Sequence, residues 1–232
     1  MKKEPAKENP HKGHRENVRR RFMLGGLEVF APHEILELLL FYAIPQRDTN
    51  PLAHRLIDTF GSLPRVLSAS VEELQAVPGV GERTATLLSL TFQLGRWIRL
   101  QQIQYERSDF RSPEALGAYF REIFAGQERE SVYELCLNQR GNIIVCHCMS
   151  NGSALSVSLE TRSLVEKAVF SNCGCVVIAH NHPGGDAIPS TDDYNATRRI
   201  KSAFSNVDIQ LWDHIIVGSE DFVSLREIGF LR

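Results

Sequence analysis

The spacing of apolar residues changes near the middle of the chain. From Arg19 to about Leu100 apolar residues recur at helical intervals, and the run Ile35 to Ile44 stops before Pro45, because proline lacks an amide donor and clashes with the preceding turn. After Glu130 the apolar period becomes two, which is typical of strands. The pattern therefore predicts an α/β (α+β) protein in which a helical half precedes a mixed sheet flanked by helices.

The second half is predicted to combine strands with helices. Strands are expected at residues 132–137, 142–149, 154–159, 175–179 and 209–217, and helices at 161–170 and 190–204. Residues 138–141 (Asn-Gln-Arg-Gly) are typical of a hairpin turn. The strand at 175–179 is almost entirely apolar, which is typical of a strand buried on both faces. We therefore expect it at the centre of the sheet.

Changes in pattern and composition divide the chain into four segments. Residues 1–18 are rich in Lys, Glu, Asn and Pro without an apolar period, which predicts a flexible basic arm. Residues 19–100 are expected to form the helical domain, and residues 101–112 a polar linker. Ser112-Pro113-Glu114 is typical of a helix start, with serine as the cap and an acid beside the positive end of the helix dipole. The mixed-sheet domain is therefore expected to cover residues 113–232.

Composition narrows the class of protein. With 43% apolar and 23% charged residues among 232, collagen-like and fully disordered chains are excluded. Five cysteines, an odd number, favour reduced thiols in a cytosol over a disulfide scaffold. The N-terminus is polar, and no apolar run approaches the ~20 residues that a membrane span needs. We therefore expect a cytoplasmic protein without a membrane partner; the pattern does not indicate an oligomeric state.

The segment that follows the buried strand carries the candidate chemistry. His180 and His182 flank Asn181, and side chains at i and i+2 of an extended stretch point the same way. Pro183 further favours an extended His182. A Pro-Gly-Gly turn then reverses the chain, so that Asp193 can return as a third ligand. Two imidazoles and one carboxylate leave the fourth position of a tetrahedral Zn²⁺ open, as a catalytic zinc site requires.

Residues 180–193 can also be compared with a helix cap, an HNH nuclease and a zinc deaminase. Ser190 and Asp193 also have the spacing of a capping box, which would start a helix without any chemistry, although the two roles are compatible. The consecutive letters His-Asn-His do not fit an HNH nuclease, whose residues are spread over a ββα unit. A zinc deaminase would need a Pro-Cys-x-x-Cys segment, which the chain lacks.

The spacing His-x-His, seven residues, Ser, two residues, Asp is the signature of the JAMM (MPN+) metalloproteases. The chain matches this signature at His180, His182, Ser190 and Asp193. Over residues 19–232 the chain resembles the bacterial RadC family in particular. The segments that carry this resemblance are His-Asn-His-Pro at 180–183, Asp-His-Ile-Ile-Val at 213–217, Ser-Leu at 224–225 with Gly229, Glu-Ile-Leu-Glu-Leu-Leu at 34–39, Phe-Gly-Ser-Leu at 60–63 and Val-Pro-Gly-Val-Gly at 77–81.

The resemblance implies roles that the residues alone do not. JAMM enzymes carry a glutamate at the start of an early strand, which holds the water on the zinc and shuttles its proton. The matching position here is Glu130, which is therefore expected to act as general base and acid. By the same resemblance, Ser190 is expected to stabilise the oxyanion. One Zn²⁺ per chain is expected on His180, His182 and Asp193.

The first half contains a second motif, Val77-Pro78-Gly79-Val80-Gly81, which is typical of a helix-hairpin-helix. Its glycines leave backbone amides at a helix N-terminus, so that Gly79, Val80 and Gly81 could contact a DNA phosphate. Residues 1–22 add eight basic side chains against three acidic ones, although the whole chain has a net charge of −2. The alternative is a structural or protein-docking hairpin, since acids flank the turn at Glu72, Glu73 and Glu82.

Other cysteines and histidines lie on the predicted strands or next to them. Cys146-His147-Cys148 and Cys173-Gly174-Cys175 suggest a second zinc site, but on a strand His147 points away from both neighbouring cysteines. We therefore expect these cysteines to behave as small buried apolar residues. Asp213-His214 either supports the metal ligands or forms a structural pair.

These motifs indicate two classes of function. The first is an enzyme, a zinc-dependent JAMM-type hydrolase that cleaves an amide bond in a peptide or protein, either a peptide or an isopeptide bond. The second is a DNA-associated module that uses the helical half and the basic arm, with a structural or vestigial metal. DNA repair is associated with the RadC family by name, and the residues themselves do not establish it.

Overall fold

The computed structural model describes residues 10–107, 109–151 and 161–231. The chain divides into two compact units, one that ends at Gly95 and one that begins at Arg96. The described helices are α1 (Pro10–Gly25), α2 (Pro32–Ala43), α3 (Asn50–Phe60), α4 (Leu63–Ser68), α5 (Val71–Gln75), α6 (Glu82–Glu106), α7 (Pro113–Phe124), α8 (Thr161–Phe170) and α9 (Thr191–Ser205). The strands are β1 (Ser131–Leu137), β2 (Ile143–Asn151), β3 (Cys175–Asn181), β4 (Gln210–Val217) and β5 (Phe222–Ser224).

The described part of the first unit is helical, as the apolar spacing predicts. Its core is formed by buried aliphatic residues from α2 to α6, among them Leu36, Leu40, Leu56, Leu74 and Leu88. Helix α3 ends at Gly61, whose φ of 84° lies in the left-handed region that glycine tolerates best. Within the described residues, no helix combines the length and the hydropathy that crossing a bilayer requires.

Helix α1 begins at Pro10, inside the segment for which we expect a flexible arm. The physical reason is that two of its side chains are buried. Val18 packs with Phe41 of α2, and the guanidinium of Arg15 donates to the carbonyl oxygens of Phe41 (3.4 Å) and Ile44 (2.6 Å) at the C-terminal end of α2. These carbonyls have no partner within a helix, so a cation beside them is favourable.

Helix α6 extends to Glu106, beyond the predicted end of the helical domain at residue 100 and into the expected linker. Leu100 and Ile103 pack against the core of the second unit, and Arg99 forms a 2.7 Å ion pair with Glu122 of α7. Apolar burial and this ion pair therefore stabilise the helix through residues 101–106, whose sequence is polar and shows no apolar period.

Among its described residues, the second unit contains a five-stranded mixed sheet with the order β2-β1-β3-β4-β5. β3 and β4 are parallel, and the other neighbours are antiparallel. β3 is central and buried along its whole length, as its apolar composition predicts. One face of the sheet packs with residues of α8 and α9, and the other packs with residues of α7.

The predicted elements of this unit can be compared with the structure one by one. Helix α8 has the predicted bounds, and the hairpin turn at 138–141 joins β1 to β2. The strand predicted at 154–159 lies outside the described residues. β5 was not predicted, because three residues are too few to produce an alternating pattern.

Candidate metal centre

The end of β3 and the start of α9 bring together His180, His182 and Asp193. The Nε2 atoms of the two histidines lie 3.0 Å apart. Oδ1 of Asp193 lies 3.2 Å from His180 Nε2, and its Oδ2 lies 3.7 Å from His182 Nε2. His180 and Asp193 are buried, whereas the His182 side chain is 24% exposed. The three polar groups therefore converge on one point that remains open on the His182 side.

The hydrogen bonds behind His180 determine which of its ring nitrogens carries a proton. Thr197 Oγ1 donates to the Asp193 carbonyl oxygen (2.6 Å), so it must accept from His214 Nδ1–H, also at 2.6 Å. Burial holds the pKa of His214 well below its usual value, so this ring is neutral and its Nε2 is an acceptor. His180 Nδ1 donates to that Nε2 at 2.8 Å, which leaves a lone pair on His180 Nε2.

For His182, a single hydrogen bond indicates which ring nitrogen carries a proton. Its Nδ1 lies 3.0 Å from the carbonyl oxygen of Asp186. A carbonyl only accepts, so Nδ1 donates this proton, and in the corresponding neutral tautomer the lone pair is on Nε2. The two Nε2 atoms and the Asp193 carboxylate thus face one another.

Asp193 is held by the cap of α9. Its Oδ2 accepts from the backbone N–H and from the hydroxyl of Ser190, both at 2.7 Å. Burial alone would raise the pKa of Asp193, but its interaction with His180 and the two Ser190 hydrogen bonds outweigh burial and lower that pKa below its usual range. The carboxylate is therefore ionised and fixed in direction.

This donor set fits a divalent cation. An ion with tetrahedral bonds of about 2.1 Å holds its ligand atoms roughly 3.4 Å apart. The two Nε2 atoms are 3.0 Å apart, and Asp193 Oδ1 lies 3.2 Å from that of His180, while the other carboxylate oxygen, Oδ2, lies 3.7 Å from that of His182. With three protein donors, one tetrahedral position is left for water or substrate.

Glu130 lies next to the same two histidines. One carboxylate oxygen of Glu130 and one nitrogen each of His180 and His182 lie within 4.8 Å of one another. The register explains this proximity, because Val132 pairs with His180 across the antiparallel β1–β3 ladder and Glu130 precedes Val132 by two residues.

Asn181 positions the backbone on both sides of Glu130. Its Oδ1 accepts from the Ser131 backbone N–H (2.7 Å), and its Nδ2 donates to the Arg129 carbonyl oxygen (3.1 Å). Asn181 is 4% exposed. This amide therefore holds Glu130 beside the histidines. No local pattern in the sequence indicates this role, because the contacts join residues 50 and 52 positions apart.

Two neighbours of the ligands have defined structural contacts. Ser190 forms the predicted capping box with Asp193. Ser190 is exposed and lies beside the converging donors. Asp213, by contrast, accepts from Ser224, from the Arg226 backbone and from the backbone of His214. Of the Asp213-His214 pair, His214 contacts a candidate ligand, and Asp213 braces the chain at β5.

The hairpin at residues 77–81 belongs to the first unit and lies between α5 and α6. The Val80 N–H donates to the Val77 carbonyl oxygen (3.0 Å), and Arg55 of α3 donates to the Pro78 carbonyl oxygen (2.7 Å). Gly79 has a φ of 98°, which only glycine adopts easily. The turn thus places Gly79, Val80 and Gly81 directly before the N-terminus of α6, and a phosphate contact there stays a prediction.

Comparison with known proteins relates both halves to described families. The RadC-like JAB domain family matches residues 110–230, and the SAM-like helix-hairpin-helix tandem matches residues 51–93. A UPF0758 protein of Ruegeria pomeroyi is 37% identical over 219 residues, which cover 94% of this chain and 97% of the relative. UPF0758 proteins of Fusobacterium nucleatum (32% over 230 residues, 97% and 99%) and Shouchella clausii (34% over 215 residues, 93% of each) are similar along nearly their whole length.

Proposed function

Because the chain belongs to the RadC family of JAB-domain proteins, we propose that it is a zinc-dependent hydrolase of the JAMM type that cleaves an amide bond in a peptide or protein. The observation that carries the proposal is the convergence of His180 Nε2, His182 Nε2 and the Asp193 carboxylate, with both ring protons directed away from the meeting point. Such a set of electron-pair donors calls for a cation.

Zinc is the ion that this donor set favours, since imidazole nitrogens and a single carboxylate in tetrahedral spacing are typical zinc ligands. When bound, zinc would supply Lewis acidity toward water and toward an amide carbonyl. His214 and Thr197 would support His180 from behind, and the Asp186 carbonyl would support His182.

Glu130 would move the proton. Its carboxylate lies near the two histidine nitrogens, within reach of a water in the fourth position. It would take a proton from that water as the water attacks the carbonyl carbon, and would then pass the proton to the leaving amine. Asn181 would keep the carboxylate at this position throughout the cycle.

Ser190 would stabilise the oxyanion of the tetrahedral intermediate. Its hydroxyl donates to Asp193 Oδ2 in this structure, but its backbone N–H donates to the same oxygen. The hydroxyl proton can therefore turn toward an oxyanion while the backbone amide still holds the carboxylate.

The proposal is tested by two variants with different expected effects. Glu130→Gln should retain as much zinc as the wild type and lose activity by about 10²–10⁴-fold, the usual contribution of general acid–base catalysis. His182→Ala should bind one zinc fewer per chain. Proteome-wide comparison of cleavage products from wild type and Glu130→Gln would identify the substrate and supply the activity assay. Equal zinc loss in both variants would contradict the division of roles.

A second candidate function rests on the first unit. The match to a helix-hairpin-helix tandem and the Gly79 turn before α6 favour non-specific contact with DNA phosphates. Gel-shift titration of the full chain at several salt concentrations tests this candidate, because phosphate contacts make affinity fall steeply as salt rises. The absence of any shift at low salt would exclude it.

A further inference from the structure

A buried glutamate lies on the face of the sheet that packs with α8. Glu134 of β1 is 0% exposed, and neither of its carboxylate oxygens has a hydrogen-bond partner among the described residues. Val132 and Cys136, two residues away on either side, belong to the apolar core of this face. A carboxyl group without hydrogen-bond partners in such a place destabilises the fold.

The residues around Glu134 are metal-ligand types. His147 on β2 is its cross-strand partner, and Cys136 follows two positions later on the same face of β1. One ligand atom from each of Glu134, Cys136 and His147 lies within 4.8 Å of the others. Cys136 is a free thiol.

A fourth donor comes from the turn between α8 and β3. The Cys136 thiol donates a hydrogen bond to the sulfur of Cys173, and this bond lowers the pKa of Cys173 below its usual value. The Cys173 thiol in turn lies 3.4 Å from the Ala168 carbonyl oxygen at the C-terminal part of α8. The Cys173 sulfur therefore lies next to that of Cys136, at the edge of the group formed by Glu134, Cys136 and His147.

The protonation states of Glu134 and His147 are compatible with the binding of a cation. Burial raises the pKa of Glu134 to about 8, and the nearby ammonium of Lys167 opposes that effect only in part. Burial lowers the pKa of His147, which keeps its ring neutral and available as a donor. His147 Nε2 lies 3.4 Å from the Ser171 hydroxyl.

We propose that Glu134, Cys136 and His147 form a second metal site, for a divalent cation of the zinc class, with the Cys173 thiol beside Cys136 as the candidate fourth ligand. With that fourth ligand the set would be closed and four-coordinate, as structural zinc sites are. The ion would join β1, β2 and the α8–β3 turn, and would compensate the buried carboxylate. Its binding would release to solvent the protons of the coordinating thiols and of the Glu134 carboxyl.

This grouping differs from the consecutive triplet in the sequence. His147 does point away from Cys146 and Cys148, as expected for a strand. The partners of His147 are instead on the neighbouring strand and on the turn that precedes β3, so the site becomes visible only when the strands are paired. It shares no residue with His180, His182, Asp193 or Glu130.

Cobalt titration of the full chain tests the second site. Co²⁺ bound to thiolate has a near-ultraviolet charge-transfer band that Co²⁺ on nitrogen and oxygen ligands lacks. We expect two Co²⁺ per wild-type chain, together with this band. His147→Ala, a change at a partly exposed side chain, should reduce the stoichiometry from two to one and remove the band. Cys136→Ser should remove the cobalt–thiolate signal of this site.

Two further variants make the result specific. Cys148→Ser changes an exposed cysteine beside His147 and should leave the band intact. His182→Ala should lose one cobalt and keep the band, which separates the two sites. A wild type that binds one cobalt without the band, or a band that disappears in Cys148→Ser but survives in Cys136→Ser, would overturn the inference and leave the proposed function untouched. Circular dichroism of each variant checks that it is folded.

Discussion

Thr197 is not a candidate ligand, yet its hydroxyl determines which ring nitrogen of His180 carries a proton. It donates to the Asp193 carbonyl oxygen and accepts from His214, and His214 then accepts from His180. Replacement by the nearly isosteric valine removes the acceptor of His214 Nδ1–H and leaves a buried donor without a partner. We predict that Thr197→Val weakens zinc affinity by about 10- to 100-fold, the usual effect of losing support behind a ligand.

Competition with a chromogenic chelator measures that affinity. Thr91→Val is the matched control, since Thr91 Oγ1 donates to the Leu87 carbonyl oxygen (2.8 Å) with the same i−4 geometry on α6. If both threonine variants bind zinc as the wild type does, the relay through His214 does not control His180.

Asn181 supports a second prediction. Asn181→Ala leaves the Ser131 N–H and the Arg129 carbonyl without their side-chain partner, at a cost of about 1–3 kcal/mol for the buried Ser131 N–H. Glu130 should lose its position while the two histidines keep theirs. We expect a large decrease in kcat with zinc affinity within about twofold of the wild type. A loss of zinc equal to that of His182→Ala would show instead that Asn181 shapes the metal site.

At this scale the sequence predicts the candidate donors, offers His214 as support only as one of two alternatives, and gives no sign of Thr197 or Asn181. His180, His182 and Asp193 lie within fourteen residues, so their convergence follows from one strand, one turn and one helix start. Asn181 contacts residues about fifty positions away, and His214 lies 34 positions from His180. Such contacts depend on sheet pairing, which local patterns do not determine.

At the scale of elements, an ion pair fixes α1 against α2. The Arg21 guanidinium lies 2.7 Å from Glu34, and its hydrogen bonds, together with one from the Ala31 backbone N–H, lower the pKa of Glu34 to about 2. A carboxyl whose pKa is lowered in the folded state stabilises the fold above its ordinary pKa near 4.5, and this stabilisation is lost as the pH falls toward 2.

We therefore predict that Glu34→Gln decreases the free energy of unfolding at pH 7, and that the difference from the wild type vanishes between pH 4.5 and pH 2. Urea unfolding at a series of pH values measures the effect. Glu16→Gln, at an exposed position on α1, makes the same change in charge and should show no such dependence. A Glu34→Gln deficit that persists at pH 2 would mean that packing, and not the ion pair, holds α1.

Element predictions succeeded where one side of a segment is consistently apolar and failed where burial depends on a distant partner. The apolar strand at 175–179 and helix α8 were predicted from their own residues. The start of α1 and the end of α6 were not, because Arg15 is buried, and Leu100 partly buried, by residues far along the chain. A basic or polar residue in a pattern gives no sign of such a partner.

At the scale of the whole molecule, the two units carry different candidate chemistry. The first contains the hairpin and the basic residues of α1, and the second contains the converging donors and the Glu134 cluster. Family membership extends over both, since the relatives align along nearly the whole chain. If the proposed function holds, the helical unit would bind a molecule that is associated with the substrate. The DNA titration tests one such molecule.

Anomalous diffraction at the zinc edge, from crystals of the zinc-loaded full chain, tests the central proposal most directly. We predict a peak about 2.0–2.2 Å from His180 Nε2, His182 Nε2 and an Asp193 carboxylate oxygen, with Glu130 facing the fourth position. A map without a peak at that point, in which the two Nε2 atoms remain in direct contact at 3.0 Å, would contradict it.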